Sequence, residues 1–253
     1  MEAERQVLAG RPESLPPRLA EARYADYLRQ RLATGAFSSK GERTRFRLRI
    51  AAATALEEGG FQDLKVSDVC SLAQVALGTF YVYFRDKTEI AIDVVMSFID
   101  LIYEQARDAA RGAEEYDAIY RTNLFFVLAY RTNPGLVRCH VQLQSQVPAF
   151  RSHWEPRHRR WQETLARSIL RSSADPSLTH ERALKIGAAL EGMVFNYLYA
   201  AAVTRESLIE SEDSDPAEMA ETLSVLWYRG VHAKDPDHLS TRAGDAAAVS
   251  ARS

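Results

Sequence analysis

The side chains able to do chemistry fall into two groups. Cys139 beside His140, and His153 near His158, are residue types that hold metal ions, yet no third ligand stands at a metal-type spacing and Cys70 is far from Cys139. No glycine-rich phosphate loop, nucleophile elbow or paired-carboxylate motif accompanies them, so no enzyme activity, metal or cofactor is expected. His158, within Arg157-His158-Arg159-Arg160, reads as part of a solvated basic face. The second group is the run Gly78-Thr79-Phe80-Tyr81-Val82-Tyr83-Phe84, followed by Arg85-Asp86-Lys87. Its hydroxyls and cations suit contact with phosphates and base edges rather than bond making.

Three elements must position that run. The spacing predicts an amphipathic helix over Leu48 to Glu58, ended by Gly59-Gly60-Phe61. A short helix is expected around Val66 to Leu72, and a second short one from Val75 to Phe84, small at its start and aromatic at its end. This is the layout of a helix-turn-helix, in which the last helix lies in the major groove. Arg43, Arg45, Arg47 and Arg49 open the first helix; at alternate positions they cannot all share one face. With a net charge of −2, DNA affinity must come from such local charge.

Residues 45 to 89 resemble the DNA-binding domain of the TetR family of bacterial transcription regulators. Arg45 and Leu48 stand at its Arg-x-x-Ile opening, Ala51-Ala52 at its alanine pair, and Leu56, Gly60 and Phe61 at its next marked positions. Gly78 to Phe84 with Lys87 is similar to its Gly-Thr-Leu-Tyr-x-Tyr-Phe-x-x-Lys signature. The chain departs in having Gln74 at the turn glycine, Ala76 where a serine is common and Leu64 near a usual threonine. The resemblance implies a homodimeric regulator, a repressor released from a double-stranded DNA operator by a small-molecule effector. The DNA-contacting residues are then expected to be Arg43, Arg45, Lys65, Ser67, Leu77, Gly78, Thr79, Tyr81, Tyr83 and Lys87, with Phe80 and Phe84 buried. An effector-independent DNA-binding regulator, or a helical small-molecule-binding or adaptor protein, stands as the alternative.

A chain of 253 residues with 46% apolar content has room for a small and a larger helical domain. No strand-like alternation stands out, so the fold class is all-α: an N-terminal three-helix helix-turn-helix domain plus a larger helical ligand-binding and dimerisation domain. Residues 1–41 are an N-terminal extension with a helix at 18–33, a DNA-contacting or dimer-stabilising arm or else a tethered tail. Residues 42–88 form the DNA-binding domain, 89–233 the effector-binding and dimerisation domain, and 234–253 a flexible tail. The N-terminus is charged and mixed, and no apolar run approaches 18 residues, so no membrane association and a cytoplasmic location are expected.

Beyond residue 100 the large side chains are mostly core, and polar groups within apolar stretches are the more informative ones, since burial without a partner is costly. Phe125, Phe126, Tyr130, Gln142, Trp161, Glu191, Phe195 and Asn196 are the candidate effector-binding residues. Gly187 and Gly192, with Leu223, Leu226 and Trp227, resemble the paired terminal helices through which the family dimerises.

Overall fold

A computed structural model describes residues 19–35, 37–173, 175–206 and 214–232. The Pro-rich start, residues 207–213 of the acidic segment 206–221 and the tail from 234 lie outside the described residues. Ten helices and no strand are found among the described residues: α1 Tyr24–Thr34, α2 Lys40–Asp63, α3 Val66–Ala73, α4 Leu77–Tyr83, α5 Lys87–Ala109, α6 Glu115–Thr132, α7 Pro134–Gln146, α8 Pro148–Ser172, α9 His180–Tyr199 and α10 Pro216–His232. A π-helical turn, Ala200–Thr204, extends α9.

Local chemistry sets the ends of these helices. Ser39 Oγ accepts the Glu42 N–H at 3.1 Å while Glu42 accepts the Ser38 N–H at 2.8 Å, closing the first turn of α2. Asp86 caps α5 through the Glu89 N–H at 2.9 Å. Gly60, at φ 78° and ψ −176°, breaks α2 before its last residues; a side chain there would be strained. Pro134 and Pro148 stand in the first turns of α7 and α8, where their missing N–H costs nothing.

One apolar core runs from α2 and α4 into α5, through Leu48, Leu56, Phe80, Phe84, Ile90, Val94 and Phe98. A second joins α6, α9 and α10 through Leu124, Val194, Leu198 and Leu223. The N-terminal segment belongs to the first of these. Leu19, Tyr24 and Leu28 are buried, and the Tyr24 ring lies 5.5 Å from that of Phe98. The Leu19 N–H donates to Gln105 at 2.8 Å and the Tyr24 N–H to Asn133 Oδ1 at 2.7 Å, while Asn133 Nδ2 donates back to the Leu19 carbonyl at 3.2 Å. The expectation of a tethered tail fails for residues 19–34, because their apolar side chains complete the core where the two helical regions meet.

Helix α9 with its π turn, His180–Thr204, holds an 18-residue window of mean hydropathy 1.3, of which only 22% is buried in the protomer. No apolar run of that length is expected from the sequence, where Glu191 and Asn196 interrupt it. The window's composition suits a membrane crossing as well as an interface with another protein.

Candidate DNA-reading face and ligand cavity

Helices α3 and α4 meet through a tight turn. Gln74 takes the left-handed conformation, φ 54° and ψ 51°, that glycine would adopt freely, and the Val75 N–H closes the turn on the Cys70 carbonyl at 3.0 Å. Arg47 Nη2 donates to the carbonyls of Ala73 and Gln74, placing a cation at the negative end of α3. Phe80 and Phe84 anchor α4 inward at 0% and 2% exposure. The outward side carries Leu77, Gly78, Tyr81 and Val82; Leu77 and Tyr81 are 54% and 55% exposed and Val82 is 76% exposed. Nothing lies within 4 Å of where a Gly78 side chain would begin.

The other expected DNA contacts divide. Arg43 and Lys65 are exposed, as is Ser67, whose hydroxyl donates to Asp68 at 3.0 Å. Arg45 is held by Asp93 at 3.1 Å and lies over the Phe84 ring. Lys87 donates to the Gln62 carbonyl at 3.2 Å above the Phe61 ring. Thr79 and Tyr83 are half-buried on the flank of α4, with the Tyr83 hydroxyl against Gly41. Tyr83 therefore does not stand on the outward face where sequence reasoning put it, and Val82, which that reasoning passed over, does. The signal was available in the i,i+4 rows: with 80 and 84 inward, the rows 77–81 and 78–82 face out.

A cavity of about 770 Å³ opens among α5 to α10, a size suited to a drug-sized molecule. Its walls are aromatic. Tyr103 stacks on Trp161 with ring centres 4.7 Å apart, Phe126 meets Trp161 edge-on at 6.1 Å, and Tyr130 and Phe195 close the adjoining side. Polar side chains stand between the rings, Asn123, Gln144, Gln162 and Arg171 among them. His158 stacks on Trp154 at 4.2 Å and its Nε2 lies 3.0 and 3.1 Å from the two Glu191 oxygens. His140 Nε2 and Trp154 Nε1 are buried without a hydrogen-bond partner. Burial, then the nearby His158 charge, pushes the His140 pKa down from 6.5 to about 4, so the ring is neutral near pH 7. Burial also pushes the Tyr103 and Tyr130 hydroxyls up, with Glu191 adding to both.

Of the candidate effector-binding residues, Phe126, Tyr130, Trp161, Glu191 and Phe195 line this cavity. Phe125 does not: it is fully buried in the core behind Phe126. Asn196 is exposed and donates to the Gly192 carbonyl of its own helix at 2.9 Å. Gln142 points toward the DNA-binding helices instead. His140, Trp154 and His158 are cavity residues that sequence reasoning missed. The reading of His158 as solvated fails because Trp154, His158 and Trp161 fall at i, i+4 and i+7, on the inward side of α8. Among the described residues no group of three His, Cys, Asp or Glu side chains could hold a metal ion.

Helix α7 joins the two regions. On one side it presents His140 and Gln144 to the cavity. On the other, Glu57 of α2 accepts the N–H groups of Gly135 and Leu136, both at 2.9 Å, capping α7 with a carboxylate. Burial nevertheless raises the Glu57 pKa, against those two hydrogen bonds. Gln142 accepts the Phe61 N–H at 3.0 Å, and Gln62 Nε2 donates to Gln146 at 2.8 Å. A side chain at Gly135 would start 1.9 Å from the Glu57 carbonyl oxygen, so only glycine permits this approach.

The candidate dimer residues are dispersed. Leu223 is buried in the second core, and Gly187 is buried against Leu165 and Ile169 of α8, so both serve packing within the protomer. Gly192 and Trp227 border the cavity. Leu226 is 45% exposed.

Residues 49–94 match the family described as bacterial regulatory proteins, tetR family. No curated protein matches the chain. The fatty acid degradation regulator FadR of Bacillus halodurans superposes with a TM-score of 0.62 at 14% identity, over 78% of this chain and 98% of that one. A putative TetR-family transcriptional regulator of Mesorhizobium loti gives 0.60 at 14% identity, over 76% and 97%. The Thermus thermophilus FadR, a TetR-family transcriptional repressor in complex with lauroyl-CoA, gives 0.53 at 19% identity, over 76% and 97%. At these identities the likeness is one of fold.

Proposed function

We propose that this TetR-family transcription regulator acts as a homodimer that holds a pseudo-palindromic operator and releases it when a small molecule enters the cavity. Residues 42–88 are the DNA-binding part and 89–233 the part that binds effector and pairs with a second copy. The observation that carries the reading is the double use of α7, whose His140 and Gln144 face the cavity while Gly135, Leu136 and Gln142 are bonded to α2. A ligand wedged against His140 displaces α7, and α7 takes α2 and the recognition helix with it. Release then requires that the ligand bind the displaced arrangement more tightly than the DNA-bound one.

Pairing is supported by α9, whose apolar window is left mostly uncovered, and by exposed Leu226 on α10. Two-fold pairing gives each operator half to one α4 and doubles the length of DNA read. The lauroyl-CoA complex of the Thermus thermophilus regulator supports treating the cavity as a ligand site, without specifying the ligand here. Repression is favoured over activation because obstructing polymerase needs no further contacts.

Selection of genomic fragments on the purified chain, at stated salt, tests this reading. The expected result is one enriched palindrome bound by a particle of two protomers' mass. Uniform enrichment, or a monomer at working concentration, overturns it; a chain that stays with lipid vesicles would instead assign the α9 face to a membrane.

A further inference from the structure

We propose that Leu77 and Val82 set sequence specificity by packing against the 5-methyl groups of thymines, so that the operator is read mainly through apolar contacts. The inference rests on the reading of α4 as the helix that enters the major groove.

Helix α4, Leu-Gly-Thr-Phe-Tyr-Val-Tyr, contains no Arg, Lys, Asn, Gln, Asp or Glu. Those are the side chains that bond base edges in pairs: Arg or Lys to guanine, Asn or Gln to adenine, Asp or Glu to cytosine. Thr79, Tyr81 and Tyr83 are the helix's hydrogen-bonding side chains, and Thr79 and Tyr83 are half-buried on its flank. Four nearby cations are engaged within the protein: Arg45 with Asp93, Arg47 with the end of α3, Arg85 with Glu89 and Lys87 with the Gln62 carbonyl. Arg43 and Lys65 are exposed but lie on other helices or loops.

What α4 does present is mostly apolar surface, two aliphatic side chains beside the Tyr81 ring. Of the five large apolar side chains most exposed among the described residues, Leu77, Tyr81 and Val82 stand on this one helix. Gly78 heads the 78–82 row, with nothing within 4 Å of its missing side chain. That bare strip lets the backbone approach the base pairs, bringing the flanking isobutyl and isopropyl groups to the groove floor. The major groove offers such groups one apolar partner, the thymine methyl. A half-site with thymines beneath α4 is the chemistry this face fits, since every base pair leaves polar edge atoms there but only those containing thymine add a methyl for the aliphatic groups to meet.

Uracil differs from thymine only in lacking that methyl, so the test changes no group that forms hydrogen bonds. The enriched operator is made with deoxythymidine and again with deoxyuridine throughout, and both are titrated with the intact chain and with a Leu77→Ala/Val82→Ala variant. The expected result is an affinity for the uracil operator at least tenfold weaker with the intact chain, and a difference below twofold with the variant. Both substituted residues are exposed, and a matching unfolding temperature shows that the variant keeps the fold. Equal affinity of the intact chain for the two operators overturns the proposal while leaving the regulator reading in place. So does an enriched half-site without thymine under α4. If no sequence is enriched at all, the regulator reading falls and this proposal with it.

Discussion

The two functional regions depart from ordinary protein surfaces and interiors in opposite ways. On α4, hydrocarbon stands in water: Val82 is 76% exposed and Leu77 54%. In the cavity, polar atoms stand among rings: His140 Nε2 and Trp154 Nε1 are buried with no partner. Exposed aliphatic clusters and unpaired buried donors are both unfavourable in the isolated chain, and both are relieved by something that binds. The difference lies in what relieves them. The α4 face is convex and calls for a concave partner bearing methyl groups, whereas the cavity is concave and calls for a small molecule whose hydrogen-bonding atoms meet its buried polar groups.

The contrast can be broken within α4 itself. Phe80→Ala empties a fully buried site and is expected to cost about 4 kcal/mol in urea unfolding. In the cavity, His140 ties stability to pH. Its folded pKa, about 4, lies below the ordinary 6.5, so the neutral ring stabilises the fold fully above pH 6.5 and this contribution is lost as pH falls toward 4. A shift of that size corresponds to about 3 kcal/mol. Unfolding free energies measured across that range should fall steeply for the intact chain and much less for His140→Phe; parallel curves would mean that the ring is well solvated. At the joint between the regions, Glu57→Gln replaces a carboxylate that accepts two backbone N–H groups, an expected loss of about 2 kcal/mol in the same unfolding assay. The smallest effect belongs to Leu77→Ser and Val82→Ser, which should each change stability by less than about 0.5 kcal/mol while weakening DNA binding. A Val82→Ser variant as unstable as Phe80→Ala would show that α4's apolar face is structural.

The DNA-binding end was legible because its chemistry is local. The glycine pair that ends the first helix, the short α3 and the inward Phe80 and Phe84 are all written at fixed offsets along a short stretch. Even there, which tyrosine faces outward depended on Gly41, far away in sequence, against which the Tyr83 hydroxyl packs. The cavity was legible only in part, since its walls come from six helices whose relative rotation no single periodicity records. Phe126 and Phe125 are neighbours with the same side chain, yet one borders the cavity and the other fills the core. Gln142 looked like a cavity group for its polarity in an apolar stretch, and its partner proved to be the Phe61 amide, which sequence distance concealed. Gly187 carried the signal of close helix approach correctly, but the approaching helix is α8 of the same protomer.

The clasp of Leu19 and Tyr24 onto Gln105 and Asn133 has a kinetic consequence. Backbone amides just ahead of a helix and at its first residue have no partner within that helix and ordinarily exchange quickly with solvent deuterium. Here two of them can exchange only when α1 lifts from α5 and the α6–α7 corner, an opening that uncovers the core beneath Tyr24 and Phe98. Their exchange lifetimes are thus a clock for the meeting point of the two regions, readable at single-residue resolution without ligand or DNA in the tube.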